Sequence, residues 1–384
     1  MYYKPDWPKA KERMIAWWKG EIIDRCCIAV TSPRKGSNRP PYPSLMEGPH
    51  LVDQEGIADN DMEAIKSWWA DPETVYKRMI TWFENTYWGG EAIPRTYLNW
   101  GASAMCGFFG SEPQFTKKTV WYPKIITDWK TFDLKVDFRS SWTYRRIIEI
   151  TKLFVERCNE RYFVGVPESG NVIDDLSLMR GMEELVFDMM GDVPDAILRS
   201  IMKTMGKVWI DYHETIYNLT YECNDHGGVL PWMGTWAPGR HDQMACDFSS
   251  LLSPTLFNKW VVFEIKEIYS SWCEYRTYHL DGPDALKHLD TLISLPEIHT
   301  IQWTPGAGNP TAGSGRWIPY YKRIQAAGKN LFLIAPINDV EALLTQLSPN
   351  GLFICTQADS EEEAKDLLKK VEKWSVNGNI FSVS

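Results

Sequence analysis

Tyr278-His279-Leu280-Asp281-Gly282-Pro283 is the stretch on which the fold turns. A β-rich lead-in, Arg276-Thr277-Tyr278, delivers a His and an Asp two residues apart, and Gly-Pro then stops it. Alternation along a strand sets His279 and Asp281 on one face. Ala285-Leu286-Lys287-His288-Leu289 follows with helical character. Strand, polar pair, tight turn and helix make up the unit that a (β/α)8 barrel repeats. In such barrels chemistry sits at the C-terminal ends of the strands.

The same rhythm runs on both sides of this unit. Helix 141–159 leads to a strand at Tyr162-Phe163-Val164-Gly165-Val166-Pro167, with helices around 180–191 and 194–219. Strand Gly228-Val229-Leu230-Pro231-Trp232 precedes a loop and a helix over 254–272, opened by Ser253 as cap and Pro254 as first residue. Strand 276–280 precedes helix 283–294. Strand 300–303 precedes a Gly/Pro loop and helix 316–327. Strand 331–334 precedes helix 338–347, with Asn338 and Glu341 spaced as a cap pair. Strand 351–355 precedes helix 360–374, with Ser360 and Glu363 spaced as a capping box. Strand–helix units in this number demand a parallel sheet. No GxGxxG follows any strand, so a closed barrel ranks ahead of a doubly wound open sheet. The expected fold is α/β: a (β/α)8 TIM-type barrel with an N-terminal helical and irregular extension. Residues 1–135 form that extension and contribute to the barrel; residues 136–384 form its main body.

The first third is less regular. Residues 1–20 predict a helix with Trp17-Trp18 on its apolar face. Ile22 to Ser32 predicts a buried strand, and a basic Gly/Pro-rich loop runs from Pro33 to Pro43. Residues 61–88 predict a helix, and 89–135 irregular chain with short strands.

Composition sets limits on function. The 384 residues are 44% hydrophobic and 24% charged, which is globular. With 41 basic against 50 acidic residues the net charge is −9, which argues against a nucleic-acid or anionic-membrane surface. No segment approaches the apolar length of a membrane span, and Met1 to Asp6 has no signal-peptide character. The eight cysteines show no CxxC spacing and are read as reduced thiols in a cytoplasmic protein. Tryptophan is abundant, at 19 residues, and many lie beside Gly or Pro. Either an aromatic-walled cavity or a core built from large side chains accounts for this.

Each strand's C-terminal end carries polar or aromatic groups: Glu168 with Asn171, Trp232 with Trp236, His279 with Asp281, Gln302 with Trp303, and Cys355. Tyr278 flanks the His–Asp pair. Asp247, ahead of the Ser253 helix, is either a ligand contact or a turn residue. In a barrel these groups meet at one mouth. His279 and Asp281, with Cys355 as a third ligand, are one candidate metal set, since His, carboxylate and thiolate all bind zinc. The alternative is an acid/base dyad in which Asp281 orients His279. Glu168 is a candidate base or cation-binding group. Asp174-Asp175 are either a second carboxylate site or, the favoured reading, helix-start residues that complement the macrodipole.

These residues carry a resemblance. Val164-Gly165-Val166-Pro167 with Leu176 to Gly181, and Cys246-Asp247 through Leu252-Ser253-Pro254 with Phe257, resemble motifs of the uroporphyrinogen decarboxylase superfamily. His279-Leu280-Asp281-Gly282 resembles the His-x-Cys-Gly of its cobalamin-dependent methyltransferases, with Cys355 near their later Cys. The resemblance implies a barrel enzyme that moves a methyl group between a small donor and a corrinoid on a partner protein. It also implies zinc on His279, Asp281 and Cys355, with Asp281 standing where that branch has a Cys. The decarboxylase branch binds its many-carboxylate substrate through an Arg-rich loop, which Asp24-Arg25 and Pro33-Arg34-Lys35 match only loosely. The expected partners are a small-molecule substrate, a corrinoid protein and, as a homodimer, a second copy of the chain. The competing expectation is a cobalamin-independent lyase, decarboxylase or hydrolase acting on a small or sugar-like substrate in a Trp-lined pocket.

Overall fold

The computed structural model describes residues 1–37, 56–132, 134 and 136–378. The basic loop expected over Pro33 to Pro43 lies outside the described residues from 38 onward.

A seven-stranded sheet organises the chain. Its strands are β1 (Cys27–Pro33), β2 (Thr86–Gly90), β3 (His241–Met244), β4 (Tyr275–Asp281), β5 (Thr300–Thr304), β6 (Asn330–Ile334) and β7 (Leu352–Gln357). Their spatial order is β2-β1-β7-β6-β5-β4-β3. Every neighbouring pair is parallel except β1 with β2. Helices cross between the parallel strands, as parallel pairing requires. They include Leu289–Ser294, Ile318–Ala326 and Val340–Gln346. Beyond the sheet's two edges, single backbone bonds carry the pairing on. Thr96 N–H reaches Phe163 O at 2.9 Å, and Val166 N–H reaches Val229 O at 3.1 Å. The run 162–167 makes one parallel bridge, Phe163 to Arg95, and no regular strand. Gly165 explains the tight passage there: a Cβ would sit 2.6 Å from the Pro231 ring and 2.7 Å from Thr96 O.

Local chemistry explains where elements start and stop. The helix expected over 61–88 is two, Met62–Ala70 and Pro72–Asn85. Pro72 lacks the N–H that would continue the first, and Asp71 caps the second by accepting Thr74 N–H at 2.8 Å. The chain then extends into β2, which the apolar helical pattern concealed. Ser360 accepts Glu363 N–H at 3.1 Å while Glu363 accepts Asp359 N–H at 2.8 Å, close to the expected capping box. The Asn338–Glu341 pair does not cap: a short 3-10 turn, Ile337–Asp339, leads into that helix with no side-chain bond at Asp339. The helical run from Pro254 to Trp272 widens into π-turns at Phe257–Val261 and Ile265–Tyr269.

Helix Trp7–Trp18 lies at the N-terminal ends of the strands. Trp17 Nε1 donates to Gly351 O at 2.9 Å, and Asn330 Nδ2 donates to Trp17 O at 2.7 Å. The Trp17 ring meets Phe353 edge-on at 5.2 Å. Arg25 is no substrate cation. It is buried, and its guanidinium makes two bonds to Glu91, at 2.6 and 2.9 Å. Most tryptophans are core residues; Trp69, Trp100, Trp209, Trp260, Trp303 and Trp317 are fully buried. All eight cysteines are free thiols. Among the described residues, no helix is long and apolar enough to cross a membrane.

Candidate active site

A cavity of about 140 Å³ opens where the parallel segments end. His279 enters it from β4, and Gln243, Ala245 and Asp247 from the exit of β3. Glu168 and Asn171 enter after the Phe163 bridge, and Tyr97, Asn99 and Ala102 after the Arg95 side of that bridge. Trp232 closes one wall. Of the 19 tryptophans it is the one that lines the cavity, so the tryptophan excess reports mainly the core.

Each of these side chains is held. Gly170, at φ +88°, makes the turn that carries Asn171 to the start of helix Val172–Arg180; a Cβ there would meet Ala102 O at 2.6 Å. Trp232 Nε1 donates to Gln243 Oε1, which leaves Gln243 Nε2 to donate to Glu168 Oε1 at 3.2 Å. His279 Nδ1 donates to Gln302 Oε1, and Gln302 Nε2 bonds Thr304 Oγ1 at 2.9 Å. The cavity-facing nitrogen of His279 is therefore Nε2. Its ring stands edge-on to Trp232 at 5.2 Å. Below Glu168, His213 Nδ1 donates to Trp209 O at 2.7 Å, and its Nε2 lies 2.5 Å from Asp242 Oδ2.

The electrostatics are those of crowded acids. Burial, with Asp242 and Asp247 adding, pushes the Glu168 carboxyl up to about 8, against the bond from Gln243. Burial, with Asp247 and Glu264 nearby, holds the Asp174 carboxyl well above its ordinary range. Behind it, burial raises Glu264 to about 7 although Tyr269 donates to it at 2.7 Å. Arg95 is the nearby buried cation. It bonds the carbonyls of Pro231 and Ile93, and burial lowers it to about 10.

The cavity brings together five sequence-expected residues: Glu168, Asn171, Trp232, Asp247 and His279. It leaves others outside. Tyr278 and Trp303 alternate with His279 and Gln302, so they point to the helix side of the sheet; Trp303 packs on Trp317 at 5.1 Å. Trp236 is buried against Trp7, with Nε1 on Asn224 O at 2.7 Å. Gln302 is fully buried behind His279 and acts on it, not on the cavity. Asp281 is exposed beyond the lining. Sequence reading missed Tyr97, Asn99 and Gln243, and favoured the helix-start role for Asp174. Asp174 resembled any first-turn acid, yet it is 6% exposed and its Oδ1 accepts Asp247 N–H at 2.9 Å.

The zinc set implied by resemblance does not fit. Among the described residues no three His, Cys, Asp or Glu side chains are placed to hold a metal ion. Register explains this: His279 is level with Gln302, Phe332 and Phe353, so Cys355 lies three strands away and further along its strand. Cys355 is buried, which pushes its thiol up to about 11 despite Arg95.

No family model matches the chain, and no curated protein matches it. Among solved structures, a methyltransferase from Methanosarcina mazei has a similar fold. The likeness covers 95% of this chain and 98% of that one, at a TM-score of 0.58 and 14% sequence identity.

Proposed function

We propose that this chain is a methyltransferase of the uroporphyrinogen decarboxylase type, with its sheet closed into a (β/α)8 barrel. It would move a methyl group between a small donor in the Glu168–His279 cavity and a corrinoid carried by a partner protein. The observation that carries this reading is the fold likeness to a methyltransferase along 95% of the chain. The convergence of polar groups at the strands' C-terminal ends gives that fold a site. Closure is supported by the Thr96–Phe163 and Val166–Val229 bonds, which extend the pairing beyond β2 and β3.

Cavity size divides the reactants. About 140 Å³ is close to a cavity that holds one benzene-sized molecule, so a small donor fits. A corrinoid is far larger and would meet the donor across the mouth; when bound it supplies the methyl-accepting or methyl-donating centre. This chain's residues do the rest. His279 Nε2 and the Asn171 carboxamide orient the donor. Trp232 keeps water off one side. Glu168, whose carboxyl gains or loses its proton near neutral pH, serves the heteroatom from which the methyl departs.

Mixing the protein with reduced cobalamin and candidate donors tests this. The expected result is conversion to the methylated spectrum, abolished by Glu168→Gln. No conversion across a broad donor panel, with a cognate corrinoid protein present, would sink the reading. The same raised Glu168 carboxyl favours a second reading, a cobalamin-independent lyase or hydrolase with Glu168 as general acid. Turnover of a neutral substrate without cobalamin would select it.

A further inference from the structure

The cavity has a sign. Glu168, Asp174 and Asp247 present carboxyl groups on its wall, and among the described residues no lysine or arginine lines it. Surface acids would mean little, but here the crowding is built in. Asp174 is 6% exposed, and the acid behind it, Glu264, is 1% exposed. The nearest buried cation, Arg95, is spent on two backbone carbonyls.

A second observation points to a missing ligand. The Asn171 side chain is 4% exposed, lines the cavity, and has no hydrogen-bond partner among the described residues. Its amide atoms are not among the enclosed unpaired polar atoms of the core; they open into the cavity, where a guest can pair with them. Trp232 and Tyr97 add aromatic rings, whose faces attract cations.

We propose that this cavity binds a small organic ammonium ion, with Glu168 and Asp174 as its counter-charges and Asn171 as its polar contact. An anion would face three carboxyl groups and no compensating charge. A neutral guest would leave the acids as crowded as before. Held protons relieve them in the free protein, and a cation relieves them by displacing those protons. The identity of this ion as methyl donor rests on the methyltransferase reading; its charge rests on the cavity alone.

Calorimetric titration of the intact protein, without corrinoid, separates the two. The probes are tetramethylammonium, protonated trimethylamine and choline, against tert-butanol as neutral and pivalate as anionic isostere. At least one cation should bind about tenfold or more tightly than tert-butanol, and pivalate should not bind. Glu168→Gln and Asp174→Asn, both isosteric, should each erase most of that preference. Asn171→Ala should weaken the cation in a protein whose circular dichroism is unchanged. The proposal is overturned if no cation binds, if tert-butanol or pivalate binds as tightly as the cations, or if the preference survives in the double carboxyl variant. Cation binding without any methyl transfer would sink the methyltransferase reading and leave this one standing. Methyl transfer from an uncharged donor would do the reverse.

Discussion

Asp174 Oδ1 accepts the backbone N–H of Asp247 at 2.9 Å, which ties the first turn of helix Val172–Arg180 to the exit of β3. Two acidic residues 73 positions apart thus share one wall of the cavity. Asp174→Asn keeps an acceptor there and removes a crowded carboxyl. It should therefore hold or raise stability in urea unfolding while cation affinity falls. Asp174→Ala removes the acceptor too, and should cost roughly 1–3 kcal/mol.

Glu168 makes a pH prediction with a definite sign. Its folded-state carboxyl titrates at about 8, above an ordinary value of 4.5. The folded protein therefore holds this proton more tightly than the unfolded chain. Stability from this group is fully present below about pH 4.5, declines as pH rises toward about 8, and is flat above that. Asp242 and Asp247 steepen the slope, and the bond from Gln243 moderates it. Glu168→Gln should flatten the profile and unfold at higher denaturant than wild type at pH 8. Chemical denaturation across that range checks it, and an unchanged slope would refute the assignment.

Gln302 should behave as a positioning residue. It touches His279 and no cavity wall. Gln302→Met removes the acceptor on Nδ1 and frees the ring to turn. Activity should fall by about 10- to 100-fold with the fold intact. The His279 ring signals should also shift in a nitrogen NMR spectrum, which a purely structural role for Gln302 would leave in place.

The Arg25–Glu91 pair predicts a stability effect far from the site. Both are buried, and Glu91 also accepts Ile28 N–H at 2.8 Å. Glu91→Ala leaves a guanidinium buried and unpaired, at a cost of roughly 3–5 kcal/mol. Thermal melts should show the loss, while the folded fraction keeps its ligand affinity.

The separation of Cys355 from His279 predicts indifference to chelators. Protein purified without chelator or metal-affinity tag should carry no stoichiometric zinc, and a chelator should leave its melting temperature unmoved. Zinc near one equivalent, lost in His279→Ala, would contradict that.

Much of the sheet was legible because β5 to β7 are short, largely apolar runs that end at turns before helices, the last of them capped by Ser360. β2 was not, since Thr86-Tyr87-Trp88 extends an amphipathic pattern without a break. β3 escaped for a different reason. Its residues His241, Asp242 and Gln243 look like loop, and their burial depends on partners distant in sequence: Thr235 bonds His241 at 2.8 Å, and His213 pairs with Asp242. In the site, parity was readable and decisive. The alternation that sets His279 and Asp281 on one face must set Tyr278 on the other, and likewise Trp303 opposite Gln302. Asp174 was open to a site role, but the helix-start reading won, because the depth that distinguishes it from an ordinary first-turn acid is a property of packing.

The contact of Trp17 with Gly351 also bears on when this protein can exist. β1 lies between β7 and β2, and its parallel partner follows it in synthesis by nearly the whole sheet, Cys27 pairing with Phe353. Until residues 352–357 emerge, β1 has an open edge and helix Trp7–Trp18 lacks its floor contact. Pairing β1 with β7 closes the longest loop in the sheet, a cost met before β1 is held on both sides. Chains lacking β7 and the helix after it would leave an apolar edge bare, and their fate would be aggregation, not partial activity.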